Sequence, residues 1–258
     1  MRTFNIDPAS YITKKEPGCI IAPNGAMFRN DQGILPEIIR EMYAHRLQAK
    51  RDKNNLATYA IKIHLNSMFG VLANPTCRFY NLDMANAITH FGQFLIKLTA
   101  KKIEEKGYEV IYMDTDSCFI NSKAKSYEDA MNLGKQLQDM INSFYQDYIK
   151  EKYSRQSHLD IQFDRCFIRF LMPKIRSGEA GAKKRYAGLC LKDGKEDILT
   201  VGIESIRSDW TDAAQKFQIE LLNKIFHKEE IAVFVKKFIS DIKTGKYDED
   251  LVYRKQLR

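Results

Sequence analysis

Two aspartates, Asp114 and Asp116, interrupt the run Glu109-Val-Ile-Tyr-Met-Asp-Thr-Asp-Ser-Cys-Phe-Ile120 at its centre. Val110, Ile111 and Tyr112 before them and Cys118, Phe119 and Ile120 after them are mostly β-formers, so the pattern predicts two short strands joined at Asp114 to Ser117. A hairpin tip carrying two carboxylates can face a substrate. It can equally be a solvated bend, because Asp and Ser are the residues a turn prefers. A second group, Lys62, Asn66 and Phe69, falls at i, i+4 and i+7 of a predicted helix, so a cation, an amide and a ring share one face. Such a face suits a phosphorylated nucleotide, with the ammonium on the phosphates and the ring against base or sugar; ordinary helix surface can look the same. The third group is Lys183-Lys-Arg-Tyr186, three cations and an aromatic opening a predicted strand through Leu191. Basic side chains next to a tyrosine suit a nucleic-acid backbone, and the alternative is a basic edge strand that resists aggregation.

The elements that must hold these groups follow from periodicity. After the turn-rich Asn30-Asp-Gln-Gly33, Pro36 sits where a helix can begin, and Leu35, Ile38, Ile39 and Met42 mark its apolar face. That helix turns basic further on, with Arg46 and Lys50 one turn apart. The next helix, Leu56 to Leu72, carries Leu56, Tyr59, Ala60 and Ile63 beside the Lys62 face. Asn54-Asn55 between them predicts a short reversal, and an antiparallel helical hairpin able to bring Arg46, Lys50 and Lys62 to one anion. Asn74-Pro-Thr76 ends this pair. A third helix, with Met84, Ile88, Phe91, Leu95 and Leu98 on its core face, runs to Gly107 and into the aspartate hairpin. An amphipathic helix is expected over 127–150, a strand over Ile161–Phe170, a Gly-containing loop at Ser177 to Gly181, and a tight turn at Asp193-Gly194. Two more helices, Ala213 to Phe226 and Glu229 to Ile242, are closed by Gly245. Helices laid on one face of an antiparallel sheet make an α+β fold.

Composition narrows the partners. The chain has 258 residues, 44% hydrophobic and 11% aromatic, which suits one large domain or two to three lobes and argues against wholesale disorder. Its net charge of +8, from 41 basic against 33 acidic residues, favours a polyanionic partner, nucleic acid before an anionic membrane surface. The five cysteines are widely spaced with no CxxC, so neither a disulfide framework nor a zinc site is expected and a reducing cytosol fits best. No leader and no apolar run of membrane-spanning length is present, so no membrane partner is expected.

Three of these stretches, in this order, resemble family B DNA polymerases. Lys62-Ile-His-Leu-Asn-Ser-Met-Phe-Gly70 is similar to that family's KxxxNSxYG fingers motif, Tyr112-Met-Asp-Thr-Asp-Ser117 to its YGDTDS motif, and Lys183-Lys-Arg-Tyr186 to its KKRY motif. Gly202-Ile-Glu-Ser-Ile-Arg-Ser-Asp-Trp-Thr211 and Val252-Tyr-Arg-Lys255 look most like the branch holding bacterial DNA polymerase II and its phage and mobile-element relatives. The resemblance implies an antiparallel palm sheet with helices on one face, a two-helix fingers hairpin and a partial helical thumb. Its boundaries would be palm at 1–32, fingers at 33–74, palm again at 75–203 and the start of the thumb at 204–258. It implies Asp116 as catalytic metal ligand with Asp114 in support, and Mg2+ as the ion of a two-metal site. Lys62, Asn66 and Phe69 would then bind the incoming dNTP, with Arg46 and Lys50 matching an RxxxK that holds the triphosphate. Lys184 and Tyr186, flanked by Lys183 and Arg185, would contact primer-template DNA. Phe69 stands where Tyr is usual and loses its hydroxyl; Met113 stands where Gly is usual.

The family's first metal-binding motif, DxxSLYPS, does not occur in the sequence, and Arg2-Thr-Phe-Asn-Ile-Asp-Pro8 resembles the segment that follows it. The expectation is therefore template-directed DNA synthesis by a polymerase segment that depends on an upstream N-terminal segment in trans for one essential aspartate. The alternatives are a catalytically inactive nucleic-acid-binding remnant and, against the fingers and KKRY features, an unrelated two-metal enzyme such as a nucleotidyl cyclase. A cytoplasmic, nucleoid-associated setting in a bacterium, phage or mobile element follows from the resemblance.

Overall fold

The computed structural model describes residues 1–174, 181–203 and 210–253. Most of the predicted loop at 177–181, and parts of the 202–211 and 252–255 stretches, lie outside these residues. Helices and antiparallel strands are mixed as the α+β class requires, and the described strands form three small sheets, β1-β3-β2, β4-β5 and β6-β7-β8. Two compact units result: Met1–Ser122 with Lys135–Phe163, and Lys123–Gly134 with the chain from Asp164 onward.

The first unit begins with three two-residue strands, β1 (Tyr11–Ile12), β2 (Ile20–Ile21) and β3 (Met27–Phe28), followed by helices α1 (Ile34–Arg51), α2 (Asn55–Ala73) and α3 (Leu82–Glu104). Asn54 and Asn81 cap α2 and α3, each side-chain oxygen accepting from an N–H in the first turn, Ala57 and Met84 respectively. Between α1 and α2 the chain reverses in three residues, with Lys53 at φ 54°, and the two helices pack on each other. Strands β4 (Glu109–Asp114) and β5 (Ser117–Asn121) follow, then α4 (Tyr127–Tyr153), which belongs to this unit from Lys135. One core centres on Phe4, whose ring stacks flat on Phe91 of α3 at 3.7 Å. A second joins Ile103 of α3 to Ile141 and Tyr145 of α4 beneath the β4-β5 hairpin.

The stretch 161–168 is not the strand its β-formers predict; only Arg169–Leu171 pairs, as β6. Its backbone is claimed by α4 instead. Asn142 donates to the carbonyl of Ile161 and accepts from its N–H, both at 2.9 Å, and Gln138 accepts from Phe163 N–H at 2.8 Å. Once those groups are satisfied by side chains, no sheet is needed to satisfy them.

In the second unit, β7 (Tyr186–Lys192) pairs with β6 on one side and β8 (Lys195–Val201) on the other. Asp193 and Gly194, both at positive φ (51° and 76°), close the β7-β8 hairpin as the sequence predicts. Helix α5 (Asp212–His227) lays Leu222 and Phe226 on Ala187, Leu189 and Ile203. Arg169 donates to the carbonyl of Phe226 in the last turn of α5, where a cation complements the helix dipole. Helix α6 (Ile231–Lys243) packs Phe234 and Phe238 on Phe217 of α5.

The entry to α1 depends on buried polar groups rather than on a local cap. Gly33, its N-cap residue, has no side chain to bond the first turn. Asp7 does this from a distance: one carboxylate oxygen accepts from Leu35 N–H at 2.7 Å and the other from Ala9 N–H at 2.8 Å. Asn5 accepts from Gly33 N–H at 2.9 Å and donates to the carbonyls of Arg29 and Asp31 at 2.8 and 2.6 Å. Both side chains are fully buried. A Cβ at Gly33 would sit 2.8 Å from Cβ of Asp7 and 3.0 Å from Oδ1 of Asn5, so only glycine fits. Gly33→Ala is expected to lower unfolding free energy by about 1–3 kcal/mol through overpacking, measured by urea denaturation; an unchanged midpoint would contradict this packing.

Candidate functional site

The β4-β5 hairpin pairs Asp114 with Ser117, Met113 with Cys118, Tyr112 with Phe119 and Val110 with Ile120. The register slips by one residue between Val110 and Tyr112, a β-bulge at Ile111. Its effect on direction is large, because side chains alternate faces along a strand. Val110, Cys118 and Ile120 pack on the α3-α4 core. The extra residue turns Tyr112 and Asp114 to the opposite face, with Phe119 and Ser117; the Tyr112 and Phe119 rings meet there at 5.4 Å. Without the bulge, Asp114 would share the core-facing side of Val110.

The turn that follows is tight. Asp116 N–H donates to the Asp114 carbonyl at 2.5 Å across the single residue Thr115, whose φ is 49°. A β-branched residue in the left-handed region costs about 1–3 kcal/mol, and such strain persists only where the surroundings enforce it. Thr115 hydroxyl donates to Oδ1 of Asp114 at 3.0 Å, and Ser117 hydroxyl to its carbonyl at 3.1 Å. Asp114 is half-buried and oriented; Asp116 stands exposed at the tip. Burial pushes the neighbouring Cys118 thiol up to about 11, so it stays a neutral core group. Two carboxylates two residues apart are a hard-oxygen donor pair of the kind Mg2+ takes. Among the described residues no group of three or more His, Cys, Asp or Glu that could hold a metal ion is assembled.

The predicted nucleotide residues lie on the α1-α2 pair in the same unit. Lys50, Lys62, Asn66 and Phe69 are exposed and Arg46 is half-buried, with its Nε shielded from solvent and lacking a hydrogen-bond partner. Leu72 is the one fully buried residue of α2, and Leu56 and Tyr59 are 80% and 63% exposed, so this helix presents its side chains outward.

The basic group lies in the second unit, and there the sequence reading needs correction. Lys183 and Lys184 precede the strand in a turn, with Lys184 at φ 59°, and β7 begins only at Tyr186. The chain turns here because Arg185 N–H donates to the Ala182 carbonyl at 3.3 Å, and Gly202 admits that turn, since a Cβ there would fall 2.0 Å from the Lys184 carbonyl. Lys183 and Lys184 are exposed, while the Tyr186 ring is held against Phe170 at 5.4 Å and Phe167 at 6.5 Å. Sequence reasoning missed Thr115, Ser117 and Gly202 as supports, and Asn5 and Asp7 at the base of α1. For the last two, a signal was present in polar residues alternating with Phe4 and Ile6 in an otherwise apolar stretch.

No described helix is long and apolar enough to cross a membrane. A family model described as DNA polymerase family B matches residues 20–255. The chain is 38% identical over 263 aligned positions to DNA polymerase II of Escherichia coli (strain K12), covering all of this chain and 34% of that protein. It is 30% identical over 246 positions to the DNA polymerase alpha catalytic subunit of Dictyostelium discoideum, covering 87% of this chain and 15% of that protein. With a DNA polymerase of Archaeoglobus fulgidus the identity is 28% over 273 positions, 98% of this chain and 31% of the other. The chain thus spans about a third or less of the length of these relatives. With the aspartate turn, the paired basic helices and the cationic turn before β7 in the family's order, the chain belongs to DNA polymerase family B.

Proposed function

We propose that the chain performs template-directed DNA synthesis, transferring a nucleotide from a dNTP to a primer 3′ hydroxyl. In this reading α1 and α2 (33–74) are the fingers, 1–32 and 75–203 the palm, and the helices from 204 onward the start of the thumb. The observation that carries it is the bulged hairpin, which turns Asp114 away from the core and leaves Asp116 exposed beside it. Asp116 is the metal ligand and Asp114 its neighbour in support, oriented by Thr115. Mg2+ bound there would lower the charge barrier to attack on the α-phosphate and stabilise the departing pyrophosphate. Arg46, Lys50 and Lys62 hold the triphosphate as cations, Asn66 supplies an amide, and Phe69 lays its ring against the nascent base pair. Lys183, Lys184 and Arg185 neutralise primer-template phosphates, with Tyr186 beside them, so that binding is independent of sequence.

Two carboxylates make half of a two-metal centre. The DxxSLYPS aspartate is not among residues 1–258, and a segment that carries it is proposed to complete the centre. The setting proposed is the nucleoid of a bacterium, phage or mobile element.

Primer extension with that segment added is expected to require Mg2+ and to fall at least about a thousandfold in Asp116→Ala, as loss of a metal ligand predicts. Equal extension by both proteins would overturn the metal assignment. Primer-template binding without extension, with or without the segment, would favour the alternative of an inactive DNA-binding remnant. On the DNA side, primer-template affinity should fall steeply between 50 and 200 mM salt, and Lys184→Ala should reduce the slope of log K against log salt by about 1. An unchanged slope would remove Lys184 from the phosphate contacts.

A further inference from the structure

The geometry at the base of α1 points to a role beyond stability: we infer that Asn5 and Asp7 are positioning residues for the nucleotide site, fixing the direction of the helix that carries Arg46 and Lys50. The inference rests on the proposed nucleotide-binding role of those two cations. Helix caps are ordinarily local, the cap side chain belonging to the residue that starts the helix. Here the cap residue is Gly33, and the capping carboxylate comes from Asp7, 28 residues from Leu35. A local cap would stabilise the helix in any orientation. A cap from another segment stabilises it in one.

Everything around the clasp restricts that orientation. Asn5 binds the Gly33 N–H and the carbonyls of Arg29 and Asp31, so the stretch leading into α1 is tied at three residues to the same segment as Asp7. That segment is itself anchored. Arg155, just after α4, donates to the Thr3 carbonyl at 2.9 Å and to Asn30, and the Phe4 ring is stacked on Phe91 of α3. Ser10 hydroxyl closes it by donating to the Asn5 carbonyl at 2.6 Å. Beyond the first turn α1 packs on α2, and Ala49 is its one buried residue there. From Leu35 to Arg46 the helix rises about 16 Å, so a tilt of about 10° at the base would move the cations by about 3 Å. Displacements of that size are large against the precision that a bound triphosphate requires.

Asp7→Ala should therefore weaken binding of Mg-dATP to the full chain about tenfold by isothermal titration, at a temperature well below unfolding, and leave primer-template affinity unchanged. Asp7→Asn keeps the shape but can accept with one oxygen only. It should lose about threefold, and it carries the test if Asp7→Ala does not fold. Leu222→Ala, a cavity variant in the separate core of the second unit, controls for stability and should bind Mg-dATP as the parent does. Parent-like binding by both Asp7 variants would overturn the inference, as would an equal loss in Leu222→Ala. Arg46→Ala with Lys50→Ala separates the two levels: if this pair does not weaken Mg-dATP binding, the nucleotide site itself is misassigned and the inference falls with it. If the pair weakens binding and the Asp7 variants do not, the clasp alone is wrong.

Discussion

One extra residue in β4 decides which way the carboxylates face. The hairpin must bury Val110, Cys118 and Ile120 on α3 and α4, and strict alternation would then commit Asp114 to the same buried side. A carboxylate there would need partners the apolar core does not offer, and its desolvation would work against the hairpin. The bulge at Ile111 removes the conflict by letting one strand serve a core at its start and present an aspartate at its end. The strained Thr115 completes the arrangement, since its hydroxyl both occupies and orients Asp114 while Asp116 is left to solvent.

The rest of the first unit makes that hairpin rigid. Ile103, Ile141 and Tyr145 form the floor, and the Thr99 and Tyr145 hydroxyls are hydrogen-bonded within it. The helices that carry the cations are built on the opposite principle. They pack on each other but bury few residues, and α1 is tied at its start by the buried Asn5 and Asp7 side chains. A rigid carboxylate turn and a pair of projecting helices held at their base suit a reaction in which one partner must stay fixed and another must be received and released.

The helices were legible because amphipathic spacing and breakers such as Asn74-Pro-Thr76 and Gly107 are local signals. The aspartate hairpin and the Asp193-Gly194 turn were legible for the same reason. The failures were of another kind. Ile161 to Phe163 has the composition of a strand, but its backbone partners are the side chains of Asn142 and Gln138, some twenty residues away. Lys183 and Lys184 read as strand residues until the contact at Gly202 is known. The bulge is invisible to alternation because Val110, Ile111 and Tyr112 are all apolar. Asn5 and Asp7 were read only as part of the family-like stretch Arg2–Pro8, and their role depends on a glycine far along the chain. In each case a long-range contact overrode a correct local preference.

The central proposal is that Asp116, with Asp114 in support, holds a divalent metal. Its most direct test is paramagnetic broadening of backbone amide resonances by Mn2+ in the presence of dATP, compared in the parent and in Asp116→Asn. Broadening centred on residues 114–117 and lost in the variant is the expected result. Broadening centred elsewhere, or unchanged by the substitution, would contradict it.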